Sequence, residues 1–330
     1  MPDSRKALVT GANGFVGSHL VEGLLHNGYQ VRCLVRKTSK LKWLSGLNVE
    51  YVYCDIAERD SLRDAVKHVD LVFHCAGLTK ARNREEYFKA NAGGTKNLIT
   101  ACLENNPKLK RFVYVSSQAA VGPGADEKPL DESVPCRPIT YYGESKLKGE
   151  KIALDHVSKL PITIVRPPAV YGPRDTDILG FFKVANSGFR ISFGFGQSFL
   201  SLVYVKDLAD GIILAAEKPQ SVGQTYFIAD DRVYSWREAF EIIARVLDKR
   251  TIPLRIPRSF VFSVAFVTQS FCRLFGKTAV LNVQKAREIT RRYWGLDVSK
   301  AETQLGFSAE HDLAEGAEQT VKWYREKGWL

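Results

Sequence analysis

Residues 8–17 read LVTGANGFVG, with Gly11, Gly14 and Gly17 at every third position. The run before them, KALVT (6–10), is apolar and β-rich. The run after, FVGSHLVEGLLHNG (15–28), has helical periodicity. A strand, a glycine turn and a helix in that order build an anion site. The turn brings backbone N–H groups close to a pyrophosphate, the helix N-terminus adds partial positive charge, and the last glycine lets helix and strand pack tightly. Glycine triplets are common in ordinary turns, so it is this context that gives the motif meaning.

Outward from this loop the first half keeps the same rhythm. Strand candidates are 6–10, 31–35, 49–53, 70–74, 111–116 and 162–166, and between them lie amphipathic stretches at 15–28, 61–69 and 85–106. Apolar strands alternating with helices predict an α/β fold with a Rossmann-type, doubly wound parallel sheet. In the second half, VYVKDLADGIILAAEKP (203–219) reads as a strand entering a helix capped by Asp207, and Ser235 caps a helix over 236–249. We expect a dinucleotide-binding domain from 1–177 plus about 202–230. A smaller, mostly α-helical substrate lobe takes 178–201 and 231–330.

Composition agrees with a folded enzyme-sized chain: 330 residues, 45% hydrophobic and 25% charged. No apolar leader precedes a cleavage site, and the six cysteines are scattered without a CxxC pair. Both features predict a cytoplasmic protein with reduced thiols. No HxxxH or Cys/His cluster exists, so no metal is expected, and His74 reads as a packed residue. The net charge of +11 is uneven: from Arg245 to Arg292 there are eleven basic residues and two acidic ones, +9 in one segment. The remainder is nearly balanced, which argues against nucleic acid as a partner.

The cofactor's second phosphate is read at the end of the second strand, VRCLVRKTSK. An acid there would bind the ribose 2′-hydroxyl of NAD; a basic residue would accept the 2′-phosphate of NADP. Val35 is followed by Arg36 and Lys37, so NADP is favoured over NAD.

TYYGESK (140–146) offers the chemistry. A tyrosine is a poor base at neutral pH, but a nearby ammonium favours its phenolate. On a helix starting near Pro138, Tyr142 and Lys146 share a face whereas Tyr141 and Lys146 do not. Upstream, VYVSSQAAVG (113–122) is a strand ending in serines, at the ligand edge of a parallel sheet.

The ordered set TGANGFVG, HCAG (74–77), Asn91 in KANAGGT, SSQAAVG, YYGESK and RPPAVYGP (166–173) resembles the extended short-chain dehydrogenases/reductases, the NAD-dependent epimerase/dehydratase family, over about residues 5–215. The form SSQAAVGP is similar to 3β-hydroxysteroid dehydrogenase-like and dihydroflavonol reductase-like members and puts the catalytic hydroxyl on Ser117. Aligned with the SSSATVYG of sugar epimerases, the position falls on Gln118. The resemblance implies Ser117, Tyr142 and Lys146 as catalytic residues and Asn91 as their support. It implies a cofactor along Gly11, Asn13, Gly14, Phe15, Val16, Gly17, Arg36, Asp55, Ile56, Ala76, Gly77, Tyr142, Lys146 and Pro167. It also implies a homodimer, through helices near 85–105 and 138–158.

Substrate is read from what departs. Nucleotide-sugar members carry R-x-x-N-V-Y-G, and here the asparagine position is Ala169. They often carry an arginine before the next strand, where this chain has Phe199, Leu200 and Ser201. Residues 178–201 contain six phenylalanines, either lobe core or an apolar pocket. The expectation is an oxidoreductase acting on a fairly apolar alcohol or ketone, sterol-, lipid- or flavonoid-like. A nucleotide-sugar epimerase or dehydratase is the alternative, and a non-catalytic NADP-binding sensor or assembly protein a second. The stretch 259–277 is too short and polar to span a bilayer. Core packing or a lid is expected for it, and peripheral membrane contact is the sharper alternative.

Overall fold

The apolar run Lys6–Thr10 forms β1, and the glycine turn delivers it into α1 (Phe15–His26). The computed structural model describes residues 5–194, 196–275, 279 and 281–330. After α1 come β2 (Gln30–Val35), β3 (Val49–Tyr53), β4 (Leu71–His74), α2 (Arg84–Tyr87), a π-helical turn (Phe88–Gly93), α3 (Gly94–Asn105), β5 (Arg111–Val115), α4 (Tyr141–Leu154) and β6 (Ile162–Arg166).

The second half is built of shorter pieces. They are β7 (Ala169–Tyr171), α5 (Leu179–Asn186), β8 (Phe189–Phe193), β9 (Phe199–Leu200), β10 (Leu202–Tyr204), α6 (Val205–Glu217), β11 (Thr225–Phe227), β12 (Tyr234–Ser235) and α7 (Trp236–Val246). Then follow β13 (Ile252–Ile256), α8 (Arg258–Leu274), α9 (Val283–Ile289), β14 (Tyr293–Trp294), α10 (Ser299–Leu305) and α11 (Leu313–Glu326).

Seven parallel strands pair in the order β11-β6-β5-β4-β1-β2-β3. The order reverses between β1 and β4, and such a switch point opens a crevice at the strand C-termini. One face of the sheet packs on α1 and α6 through Leu20, Leu24, Leu208 and Ile212; the other packs on α3 and α4 through Leu98, Ile99 and Ala153. This is the doubly wound α/β fold that the alternating pattern predicts. The seventh strand, β11, has three residues and left no periodic signal.

Three local expectations are corrected. Residues 61–69 do not form an α-helix: a 3₁₀ turn covers Arg59–Leu62, and the backbone turns out at His68, φ 57°. The stretch 85–106 is not one helix, since the π-helical turn divides it at Asn91. Asp207 does not cap α6, whose N-cap is Tyr204; Asp207 is buried in the first turn and accepts from His311 Nδ1 at 2.7 Å. Ser235 does cap α7, accepting the Glu238 N–H at 3.1 Å.

The lobe's core joins α5, α7 and α11 through Phe182, Phe240, Ile243, Leu313 and Tyr324. Two small sheets, β12-β9-β14 and β13-β8, flank it.

Candidate active site

The glycine loop is a cradle that side chains would fill. Gly11 has φ +68°, and a Cβ there would lie 2.8 Å from the Ala76 nitrogen. A Cβ on Gly17 would lie 2.1 Å from the Gly11 carbonyl oxygen. Gly14 caps α1 with no side-chain acceptor, so Phe15, Val16 and their neighbours keep first-turn N–H groups available to an anion. Half-buried Asn13 sits between these glycines. Space, donors and dipole all fit a dinucleotide pyrophosphate.

Beneath the loop runs a directional hydrogen-bond chain. The Ala76 N–H donates to Thr10 Oγ1 at 3.2 Å, and Thr10 Oγ1 lies 2.7 Å from His74 Nδ1. His74 Nε2 lies 3.0 Å from Thr95 Oγ1, which donates to the Asn91 carbonyl at 2.5 Å. Because Thr95 donates onward, it must accept from His74, so the imidazole carries its proton on Nε2. Burial pushes His74 down to about 3, and it is neutral. His74 therefore ties the switch-point strands together.

The adenosine end is more open. Arg36 and Lys37 are exposed just beyond β2, and the Arg36 N–H donates to Ser39 Oγ at 3.0 Å. Asp55 accepts the Ala57 N–H at 2.9 Å as a turn aspartate. The Ile56 carbonyl accepts from Asn97 at 3.0 Å, fixing that loop to α3. Further along the crevice Gly77 passes close to Lys146: a Cβ there would be 3.0 Å from Asn91 Oδ1 and 3.9 Å from Lys146 Nζ. The Pro167 carbonyl accepts the Gln118 N–H at 2.8 Å.

Two serines follow β5. Ser116 is buried and its hydroxyl has no partner. Ser117 Oγ accepts the Ala119 N–H at 3.1 Å, capping a 3₁₀ turn. It lies beside the Tyr142 phenol and pulls that group's pKa down. Gln118 is buried and donates to the Trp294 carbonyl at 2.9 Å, which leaves the tyrosine to Ser117.

α4 starts at Tyr141 rather than near Pro138, with Thr140 Oγ1 accepting the Gly143 N–H at 3.1 Å. Tyr142 and Lys146 remain on one helical face. What presses this helix onto the serine turn is Gly143, where a Cβ would sit 2.1 Å from the Ala119 carbonyl. Tyr141 is exposed, while the Tyr142 ring lies 6.3 Å from that of Tyr87.

The electrostatics differ from the expectation that a nearby lysine lowers the Tyr142 pKa. Burial pushes the Tyr142 phenol up to about 12; the Ser117 hydrogen bond opposes it, and the Glu288 carboxylate raises it further. Lys146 Nζ donates to the Val115 carbonyl at 2.7 Å and lies 4.3 Å from the Tyr114 ring. Burial pushes Lys146 down to about 8, against the raising influence of Glu150. Glu150 in turn holds Arg166 through two bonds, 2.9 and 2.7 Å.

Asn91 is a kink and a support at once. From the π-helical turn its Nδ2 donates to the Leu78 carbonyl at 3.1 Å and to Ser145 Oγ at 2.8 Å, while Oδ1 accepts the Leu78 N–H at 2.7 Å. It pins the loop after β4 to α4.

The pattern-based reading missed α9. Gln284 accepts the Tyr141 N–H at 3.1 Å, and Lys285 pairs with Glu288 at 3.0 Å beside Tyr142. Nothing local in 283–289 marks it, because its role comes from a contact across more than a hundred residues.

A model of the NAD-dependent epimerase/dehydratase family matches residues 7–229. The chain belongs to this family. As an extended short-chain dehydrogenase/reductase it is a nicotinamide-dependent oxidoreductase. The family member is 30% identical to a ceramide reductase of Caulobacter vibrioides, over 98% of this chain and 95% of that protein. It is 24% identical to the sterol-4-alpha-carboxylate 3-dehydrogenase, decarboxylating, of Dictyostelium discoideum, over 96% and 99%. In fold it matches the UDP-glucose 4-epimerase of Thermotoga maritima with a TM-score of 0.80, at 24% identity over 98% and 99%.

The family member's lobe answers the question of the phenylalanines. Phe182 is core, Phe181 packs on Trp236 at 4.6 Å, and Phe193 packs on the same ring at 6.0 Å. Phe195 lies outside the described residues. Phe199 stacks on Tyr293 at 6.5 Å, and Ser201 Oγ accepts the Leu296 N–H at 2.9 Å. Most of these rings build the lobe rather than line a pocket. Among the described residues no cluster of His, Cys, Asp and Glu is placed to hold a metal.

Proposed function

We propose that this protein is an NADP-dependent reductase/dehydrogenase that interconverts a ketone and an alcohol on a fairly apolar, sterol-, lipid- or flavonoid-like molecule. The observation that carries the chemistry is the Ser117–Tyr142 pair at the C-terminal edge of the parallel sheet.

A bound nicotinamide supplies the hydride in reduction and accepts it in oxidation. The chain supplies the proton. Tyr142 gives its phenolic proton to the carbonyl oxygen as the alcohol forms, and takes it back in the reverse direction. Ser117, held by the Ala119 N–H, directs its own O–H at that oxygen. Lys146 holds the ribose, a role supported by the approach of its Nζ to Gly77.

Arg36, with no acid in the loop after Val35, supports NADP. Ala169 on β7 and Phe199–Leu200 on β9 stand where sugar-nucleotide members carry polar handles, which supports an apolar substrate. The names of two relatives, a ceramide reductase and a sterol dehydrogenase, point the same way.

The test is NADPH oxidation, read by absorbance, across a panel of lipid, sterol and flavonoid ketones. A parallel assay measures epimerisation of UDP- and dTDP-sugars. Robust epimerisation with no ketone reduction would replace this reading by the sugar alternative.

A further inference from the structure

α8 buries one face and shows another to solvent. On the buried face Val261 and Ala265 pack with Ala286 of α9, and Thr268 Oγ1 donates to the Leu281 carbonyl at 2.6 Å. On the outer face stand Phe260, Val267, Phe271 and Phe275, spaced i, i+7, i+11 and i+15 and 59%, 64%, 62% and 64% exposed. Phe266 is 65% exposed beside them, and the Phe271 and Phe275 rings lie 5.0 Å apart. Core packing, expected from the sequence, holds only for the inner face; Gly276 and Lys277 of that expected stretch lie outside the described residues. Scattered exposed apolar residues are ordinary, but a helical stripe of aromatic ones marks an interaction surface.

What covers it is argued from charge. β13, which leads directly into α8, exposes Ile252 and Leu254, and Arg255 of that strand and Arg258 at the start of α8 are exposed too. The segment 245–292 carries eleven basic residues against two acidic ones. A second copy laid on this face would meet the same positive charge and be repelled. An anionic bilayer offers both complements, negative headgroups and an apolar interior. Among the described residues no helix is long and apolar enough to cross a membrane, so the contact would be interfacial.

We propose that α8 and the end of β13 form a docking surface that seats the protein on an anionic phospholipid bilayer, aromatic rings in the acyl boundary and arginines at the headgroups. α9 links this surface to the chemistry. The Val283 N–H donates to Gln269 of α8 at 3.0 Å, and the next residue, Gln284, accepts from Tyr141 at 3.1 Å. Docking would thus bring an apolar ketone from the bilayer to the Tyr142 edge. That purpose rests on the apolar-substrate reading above; the surface itself does not.

The experiment is co-sedimentation of the full chain with vesicles of phosphatidylcholine alone and of phosphatidylcholine mixed with phosphatidylglycerol. Partition onto the mixed vesicles, release by high salt, and a roughly tenfold or greater loss of partition in Phe266→Ser/Phe271→Ser support the proposal. Reduction of a short, water-soluble ketone should be unchanged in that variant. A protein that stays in the supernatant with anionic vesicles overturns the proposal, as does partition indifferent to the two substitutions. A homo-oligomer dispersed by the same substitutions, with no vesicle binding, overturns it in favour of a second copy. Vesicle binding without ketone reduction upholds the surface and sinks the catalytic reading instead.

Discussion

Lys146 directs its ammonium at the carbonyl oxygen of Val115, 2.7 Å away, while Tyr142 stands one helical turn earlier on the same face. The lysine thereby anchors α4 to the end of β5, just before the turn that holds Ser117. The two groups sit at one corner, where helix, strand end and serine turn converge.

Tyr142→Phe removes the proton donor and little packing. Turnover should fall roughly 10²–10⁴-fold. NADPH affinity should stay within about twofold, because the glycine loop is untouched. Steady-state kinetics and a fluorescence titration of NADPH check the two halves separately.

Ser117 and Gln118 should separate cleanly. Ser117→Ala is expected to lower kcat with little change in Tm. Gln118→Ala removes one of two donors to the Trp294 carbonyl, which keeps the Ser201 N–H at 3.0 Å, and should cost about 0.5–1.5 kcal/mol of stability. Thermal melts beside kinetics of both variants decide; a catalytic loss confined to Gln118→Ala would move the hydroxyl role away from Ser117.

Arg36→Ala should reduce kcat/KM for NADPH roughly tenfold or more and leave that for NADH nearly unchanged. An unaltered cofactor ratio would show that the loop after β2 does not read the 2′-phosphate.

The alkaline limb of the reduction profile should report Lys146, which loses its proton near pH 8. Glu150 raises that value, so Glu150→Gln should shift the limb to lower pH. The same change strips Arg166 of its buried partner and should cost about 3–5 kcal/mol. The pH–rate profile of whatever folded fraction remains carries the test.

Acid should weaken the fold through His74. Its pKa is about 6.5 unfolded and burial holds it near 3 in the folded chain. Between these values the unfolded chain binds the proton that the folded chain refuses, so stability is full above about 6.5 and declines as pH falls towards 3. The slope is on the order of 1 kcal/mol per pH unit. Urea unfolding at pH 7, 6 and 5 measures it, and His74→Gln should reduce the slope, leaving the part contributed by buried His19, held near 4.

Much of the fold was legible in the chain itself. Strand–glycine–helix order, apolar strands and helical periodicity are local, and they alone specify a doubly wound sheet with its ligand edge at Gly11–Gly17. Tyr142 with Lys146 is local too, because a helical turn places residues four apart on one face whatever the helix packs against. The tertiary structure decided the rest. Whether Ser117 or Gln118 faces the tyrosine depended on Trp294, nearly two hundred residues away, claiming the glutamine. The approach of α4 to the serine turn depended on Gly143 against Ala119, and the contact of α9 with the start of α4 on Gln284. Tyr142 is pushed up and not down because burial outweighs the nearby charges, and burial is a property of the assembled fold. The outward turn of Phe260, Val267 and Phe271 is of the same kind. A helix's periodicity shows that it has an apolar stripe; only its neighbours determine whether that stripe faces the core or the outside.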